Sequence, residues 1–265
     1  MPTPWKKLLR LVCVFSLLAS GLTGCARSHT YVLVHGAFSD STAWGRVTPL
    51  LEKEGHKVVT LDLPAHGKDT TPAEQASLQG YTDRVLQTID AQQEPVILVG
   101  HSMGGTVISQ VAEQRPDKVS KLVYLAAFLL PNGKSLMDLS QQDTEARLGP
   151  YLVPSEDGKT LTLKPGALEA AFCQDCSVED AQMLNAALPP PEPVAPVSTP
   201  VTVTEANWGR VPRFYIETTK DLAIGPAQQK RLYTELPVKR VFTLESGHMP
   251  LITHPEELAR HLLSL

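Results

Sequence analysis

The most constraining feature of this chain is the pentapeptide Gly100-His101-Ser102-Met103-Gly104, which fits the pattern G-x-S-x-G. It sits between an apolar run, Pro95-Val-Ile-Leu-Val-Gly, and a helical pattern beginning near Gly104. A serine on a sharp strand-to-helix turn has a crowded, strained backbone. Its neighbours two positions before and after must be small, and the turn lifts its hydroxyl to the end of a sheet. Gly100 and Gly104 meet that demand, and Gly105 leaves further room for close backbone approach. The start of the helix also aims N–H groups and positive dipole toward a developing anion.

The rest of the sequence supplies the sheet that such a turn requires. Short apolar runs at 31–35, 57–62, 96–100, 121–126, 213–218 and 238–244 predict six buried strands. Helical patterns lie between most of them, at 43–54, 81–90, 106–113, 227–235 and 255–263. Strands alternating with helices predict an α/β fold with a doubly wound, mostly parallel six-stranded sheet. Residues 131–207 break this rhythm and include the proline-rich stretch 189–200. A segment that long needs structure of its own. It is expected to be a lid inserted into a core made of residues 31–130 and 208–265, with Phe172, Met183, Leu184 and Trp208 as candidates to shape a pocket.

A serine hydroxyl is a weak nucleophile near neutral pH and needs a general base within hydrogen-bond reach. Around a turn of this kind the partners follow in the chain order serine, acid, histidine. His248 lies just after the last predicted strand, in Glu245-Ser-Gly-His-Met-Pro, where Gly247 is expected to let the loop turn. His254 and His261 fall in the final helical pattern, so His248 is the expected base. Asp221 follows the preceding strand and is the only carboxylate between Glu217 and Glu235. It would fix the imidazole tautomer and stabilise the imidazolium. The amides expected to hold an oxyanion are those of Met103, next to the serine, and of Ala37 after the first strand, with Phe38 the second choice. His35, His66 and His101 are expected to orient loops rather than take part in chemistry.

The N-terminus reads as an address. Lys6, Lys7 and Arg10 precede a short apolar run that ends in Leu22-Thr23-Gly24-Cys25. Basic, then apolar, then small residues have the order of an export signal. The final tetrad has the form of a bacterial lipobox. On this reading residues 1–24 are a lipoprotein signal peptide, Cys25 is the lipid attachment site, and residues 25–30 are a tether. The protein would then be exported to the cell envelope and held at its membrane. Of the remaining cysteines, Cys173 and Cys176 are spaced C-x-x-C and either form a local disulfide or stay as buried thiols. Two ligands do not make a zinc site, so no metal is expected, and no organic cofactor is implied. The net charge of −4, with no basic stripe, argues against nucleic acid as a partner.

The stretches Val32-Leu-Val-His-Gly-Ala-Phe, Leu61-Asp-Leu-Pro-Ala-His-Gly, Val96-Ile-Leu-Val-Gly-His-Ser-Met-Gly-Gly, Asp221-Leu-Ala-Ile and Ser246-Gly-His-Met-Pro-Leu resemble the α/β-hydrolase superfamily, in particular plant methylesterases, hydroxynitrile lyases and their bacterial esterase relatives. The resemblance covers residues 31–265. It implies a triad of Ser102, Asp221 and His248, with oxyanion amides at Ala37 and Met103, acting on a small-molecule ester. Lyases of this group carry a lysine directly after the histidine and a threonine in the slot of Gly36. Met249 and Gly36 stand there in this chain, as in the esterases. A lyase needs a cation for departing cyanide, so ester hydrolysis is expected ahead of C–C cleavage or a non-catalytic binding role.

Overall fold

The computed structural model describes residues 28–186 and 189–265. Nine strands and nine α-helices follow one another along these residues. The strands are β1 Thr30–Val34, β2 Lys57–Leu61, β3 Val96–His101, β4 Val119–Leu125, β5 Leu152–Pro154, β6 Thr160–Leu163, β7 Glu192–Pro193, β8 Arg213–Thr218 and β9 Arg240–Leu244. The helices are α1 Thr48–Lys53, α2 Leu78–Asp90, α3 Gly104–Gln114, α4 Leu136–Ser140, α5 Val178–Ala186, α6 Val194–Ser198, α7 Pro226–Glu235, α8 Pro250–Thr253 and α9 Pro255–Leu263.

Six strands form one sheet in the order β2-β1-β3-β4-β8-β9, and every neighbouring pair is parallel. Alternation along each strand divides the core between two faces. On β1, Val32 and Val34 join a cluster with Tyr81, Val85 and Ile89 of α2 and Val107, Ile108 and Val111 of α3. Tyr31 and Leu33 face the other way, toward Leu51 of α1 and Leu258 and Leu262 of α9. Because both faces are covered, β3 is buried along its whole length, which is why it reads as a continuous apolar run.

Two expectations change. The single helix expected over 43–54 is a short 3₁₀ turn at Ser41–Trp44, capped by the Asp40 side chain, followed by α1 with Pro49 in its first turn. Proline suits a helix start and not a helix interior, so the pattern breaks there. The insertion between β4 and β8 carries a small antiparallel sheet, β5-β6-β7, besides α4, α5 and α6. The short strands Leu152–Pro154 and Glu192–Pro193 each contain a proline, which obscured them in the sequence.

Candidate active site

The site lies at the carboxyl ends of the parallel strands, where the order turns back between β1 and β3. That is the place open α/β sheets present to ligands. Ser102 follows β3 directly and has φ +54°, a left-handed conformation that costs a non-glycine residue about 1–2 kcal/mol. The surroundings over-determine it. Its N–H donates to the Leu125 carbonyl at 3.1 Å, and its own carbonyl accepts from Gly105 at 3.1 Å and Phe128 at 3.2 Å.

Glycine is required around it for close approach. A Cβ on Gly100 would stand 2.6 Å from the carbonyl carbon and oxygen of Gly104 and 2.8 Å from the amide nitrogen of Gly105, all backbone atoms. Gly100→Ala is therefore expected to lower stability by about 1–3 kcal/mol in urea unfolding, the range of overpacked cores. Gly149→Ala, where a Cβ meets nothing within 4 Å, should stay within about 0.5 kcal/mol. Equal losses at the two sites would contradict this account of the turn.

The Ser102 hydroxyl lies 2.9 Å from His248 Nε2, and His248 Nδ1 lies 2.8 Å from Asp221 Oδ2. His248 and Asp221 are fully buried. A buried carboxylate must be satisfied by donors, and Asp221 is. Its Oδ1 accepts from the backbone N–H groups of Ala223 at 2.8 Å and Ile224 at 2.9 Å. Its Oδ2 accepts from the Thr218 hydroxyl at 2.8 Å and from Gln229 Nε2 at 3.1 Å. With the His248 Nδ1–H directed at this carboxylate, the Nε2 lone pair is left for the serine proton.

His101 Nε2–H donates to the His248 carbonyl at 2.8 Å. Burial, and then the neighbouring His248, holds the pKa of His101 well below the ordinary histidine value. His35 accepts the Leu63 N–H at Nε2, 3.1 Å away, and burial followed by His66 lowers its pKa to about 4. Both rings are thus neutral at neutral pH and orient loops.

Among the described residues, the Ala37 and Met103 amides donate to no other backbone or side-chain group. The Phe38 amide is occupied, since it donates to Glu192 Oε2 at 2.6 Å. The role expected of Gly247 is corrected. Neither Gly36 nor Gly247 has a positive φ. A Cβ on Gly36 would meet the Ser102 Cβ at 2.8 Å, and one on Gly247 would meet Asp175 Oδ1 at 2.5 Å. Both stand in close contact with a neighbour, and Gly247 is not there for a left-handed turn.

A cavity of about 310 Å³ opens beside His248, lined by Ala37, Phe38, Phe172, Leu184, Met249 and Ile252 among others. Met183 also lines it, but Trp208 does not. The Trp208 indole is buried on the other face of the sheet, where its Nε1–H donates to the Tyr124 hydroxyl at 2.9 Å. Arg46, at the cavity, is held by Asp180 and by the Ile252 carbonyl.

Contacts made by three residues of the insertion escaped sequence reasoning. Asp175 Oδ2 accepts the Gly247 N–H at 2.7 Å, Gln174 donates to the Lys220 carbonyl, and Glu192 binds His66 and Phe38. Asp175 and Gln174 thus hold the loops that carry His248 and Asp221. They lie between Cys173 and Cys176, which are drawn together as a disulfide with Cα atoms 5.0 Å apart.

A parallel sheet with helices on both faces, and a serine on the turn after its central strand, define an α/β-hydrolase. Residues 31–261 match the family model described as alpha/beta hydrolase family, and the chain belongs to that family. Its similarities fall among carboxylesterase-type members. Methylesterase 1 of Arabidopsis thaliana is 30% identical over 253 residues, covering 90% of this chain and 96% of its own. A chain of the same plant named as methylesterase 11, chloroplastic, is 32% identical over 247 residues. That alignment takes in 89% of this chain but 63% of the relative, so the chain spans under two thirds of the longer protein. The crystal structure of polyneuridine aldehyde esterase superposes with a TM-score of 0.81 at 24% identity, over 90% of this chain and 99% of its own, and shares the fold.

These relatives overturn the location expected from the N-terminus. They are plant methylesterases, one of them named as chloroplastic, and none is named as a bacterial envelope lipoprotein. A four-residue pattern around one cysteine has little specificity against that. Cys25 and the remainder of residues 1–27 lie outside the described residues. Among the described residues, no helix is long and apolar enough to cross a membrane.

Proposed function

We propose that the protein hydrolyses a small carboxylic ester through an acyl-enzyme on Ser102. The observation that carries this reading is the unbroken chain from Ser102 Oγ to His248 to Asp221, with contacts of 2.9 and 2.8 Å. His248 Nε2 takes the hydroxyl proton as Ser102 Oγ attacks the ester carbonyl. The amides of Ala37 and Met103 hold the oxyanion, a type of contact worth about 3 kcal/mol per donor in comparable sites. Collapse expels the alcohol, protonated by His248, and leaves an acyl group on Ser102. Water, deprotonated by His248, then releases the acid.

Residues 131–207 act as a cap on the core of 31–130 and 208–265. They supply Leu168, Phe172, Met183 and Leu184 to a cavity whose surface taken as a whole is mostly apolar. That lining favours esters with apolar acyl or alcohol groups. Arg46 is already paired with Asp180, which weakens its pull on a substrate anion. Position 249 presents a thioether and no cation, which favours hydrolysis over cyanide release. The test is a panel of p-nitrophenyl and methyl esters. Turnover of apolar esters ahead of those carrying a free carboxylate is the expected outcome, and no turnover of any ester would sink the reading.

A further inference from the structure

Glu192 is a glutamate from the last quarter of the insertion, flanked by prolines and 1% exposed. Among the described residues, no lysine or arginine binds it. Its Oε2 accepts the Phe38 N–H at 2.6 Å and lies 3.0 Å from His66 Nε2, while Oε1 is buried without a partner among the described residues. His66 is equally buried, and its Nδ1 lies 2.9 Å from the Pro64 carbonyl. A carbonyl can only accept, so Nδ1 carries a proton. Nε2 faces a carboxylate oxygen, so a second proton there completes an imidazolium–carboxylate pair between the insertion and the core.

The pair ends on the residue next to the proposed oxyanion amide. Phe38 has φ +54°, a conformation that an aromatic residue keeps only when its surroundings impose it. Holding its N–H fixes the peptide plane between Ala37 and Phe38 and removes Phe38 as a competing donor. The Ala37 amide is then the one left free. We propose that Glu192, seated by His66, is a positioning residue that sets the oxyanion loop and couples it to the seating of the insertion. The proposal rests on the ester-hydrolysis reading above.

A pH dependence follows. The groups facing His66 are Glu192 from β7, His35 after β1 at 5.0 Å between ring centroids, Tyr81 of α2 at 5.7 Å, and Asp40. His35 is neutral, and burial pushes the Tyr81 phenol far above its ordinary range, so neither competes for the proton. Asp69, in the same loop as His66, is engaged by Arg84 and by the Ala65 and Thr71 amides. Burial works against charge on His66, but Glu192, with the Pro64 carbonyl and Asp40, more than offsets it and the net shift is upward. The imidazolium is therefore favoured to higher pH than for an ordinary histidine, and it is lost as pH rises through that elevated pKa. A neutral ring would then turn a lone pair on the carboxylate.

The experiment compares wild type, Glu192→Gln and His66→Gln by kcat and KM across pH, with thermal melts to establish folding. A glutamine at 192 cannot accept from Phe38 and satisfy a neutral His66 with the same atom. Its kcat should fall about 10–100-fold, short of losing an oxyanion donor outright, with KM within a few-fold. Its alkaline limb should move to lower pH. A glutamine at 66 can still donate to Glu192 without titrating, so kcat should be largely retained and the alkaline limb flattened. That variant decides the matter if Glu192→Gln does not fold. A folded Glu192→Gln with wild-type kcat and pH profile, or an unchanged alkaline limb in His66→Gln, overturns this proposal alone. A wild type inert to every ester overturns the reading beneath it and this proposal together.

Discussion

Replacing Ser102 by alanine is expected to leave the fold in place and to lower kcat for p-nitrophenyl acetate by about 10⁶-fold. The change removes one oxygen from a side chain that is already nearly buried. The backbone that holds the turn is untouched, because its hydrogen bonds to Leu125, Gly105 and Phe128 are made by main-chain atoms. Only the 2.9 Å bond to His248 is lost, a net cost of about 1 kcal/mol. A melting temperature within a few degrees of wild type should accompany the loss of turnover. The residual rate would come from the oxyanion amides and from binding, which do not depend on the hydroxyl. A variant that is folded and within tenfold of wild type would contradict the assignment of the nucleophile.

The second large effect is expected at Asp221→Asn, with kcat lower by about 10⁴-fold. The shape of the side chain is preserved, but its charge and half of its acceptor capacity are not. Asp221 receives donors at both oxygens, from Ala223 and Ile224 on one side and from Thr218, Gln229 and His248 on the other. An amide NH₂ must therefore face donors wherever it is placed. Turned toward His248, it demands the tautomer with the proton on Nε2 and takes away the lone pair that Ser102 needs. Turned the other way, it confronts two backbone N–H groups. An unsatisfied buried donor costs about 1–3 kcal/mol, so a lower midpoint in urea should accompany the kinetic loss. Unchanged kcat in a folded variant would remove Asp221 from the mechanism.

Much of this site was legible because its signals are local. Gly100 is forced by backbone contacts within five residues, although Gly104 and Gly105 are forced by the distant carbonyls of His35 and Phe128. The six core strands are short apolar runs because both faces of the sheet are covered. His248 and Asp221 stand directly after strands, so the period of the pattern located them. The contacts that were missed are made across long separations. Glu192 meets Phe38 across 154 positions and His66 across 126. Asp175 reaches Gly247 across 72. Nothing in a proline-rich stretch announces that its one carboxylate is buried, and the only available hint was that a lone acid lay among apolar residues. Trp208 was misplaced for a related reason. A tryptophan near an insertion reads equally well as pocket wall or as core, and the Tyr124 hydroxyl decides for the core.

The central claim is that Ser102 becomes covalently attached to the acyl group, and mass spectrometry of the quenched enzyme tests it most directly. A fluorophosphonate should displace fluoride, place one phosphonyl group per chain on the peptide containing Ser102, and abolish ester turnover in proportion. Acid-quenched turnover of p-nitrophenyl acetate should place an acetyl group on the same peptide, and His248→Ala should suppress both adducts. Ester turnover that continues with Ser102 unmodified, or adducts that form only on another residue, would contradict the account.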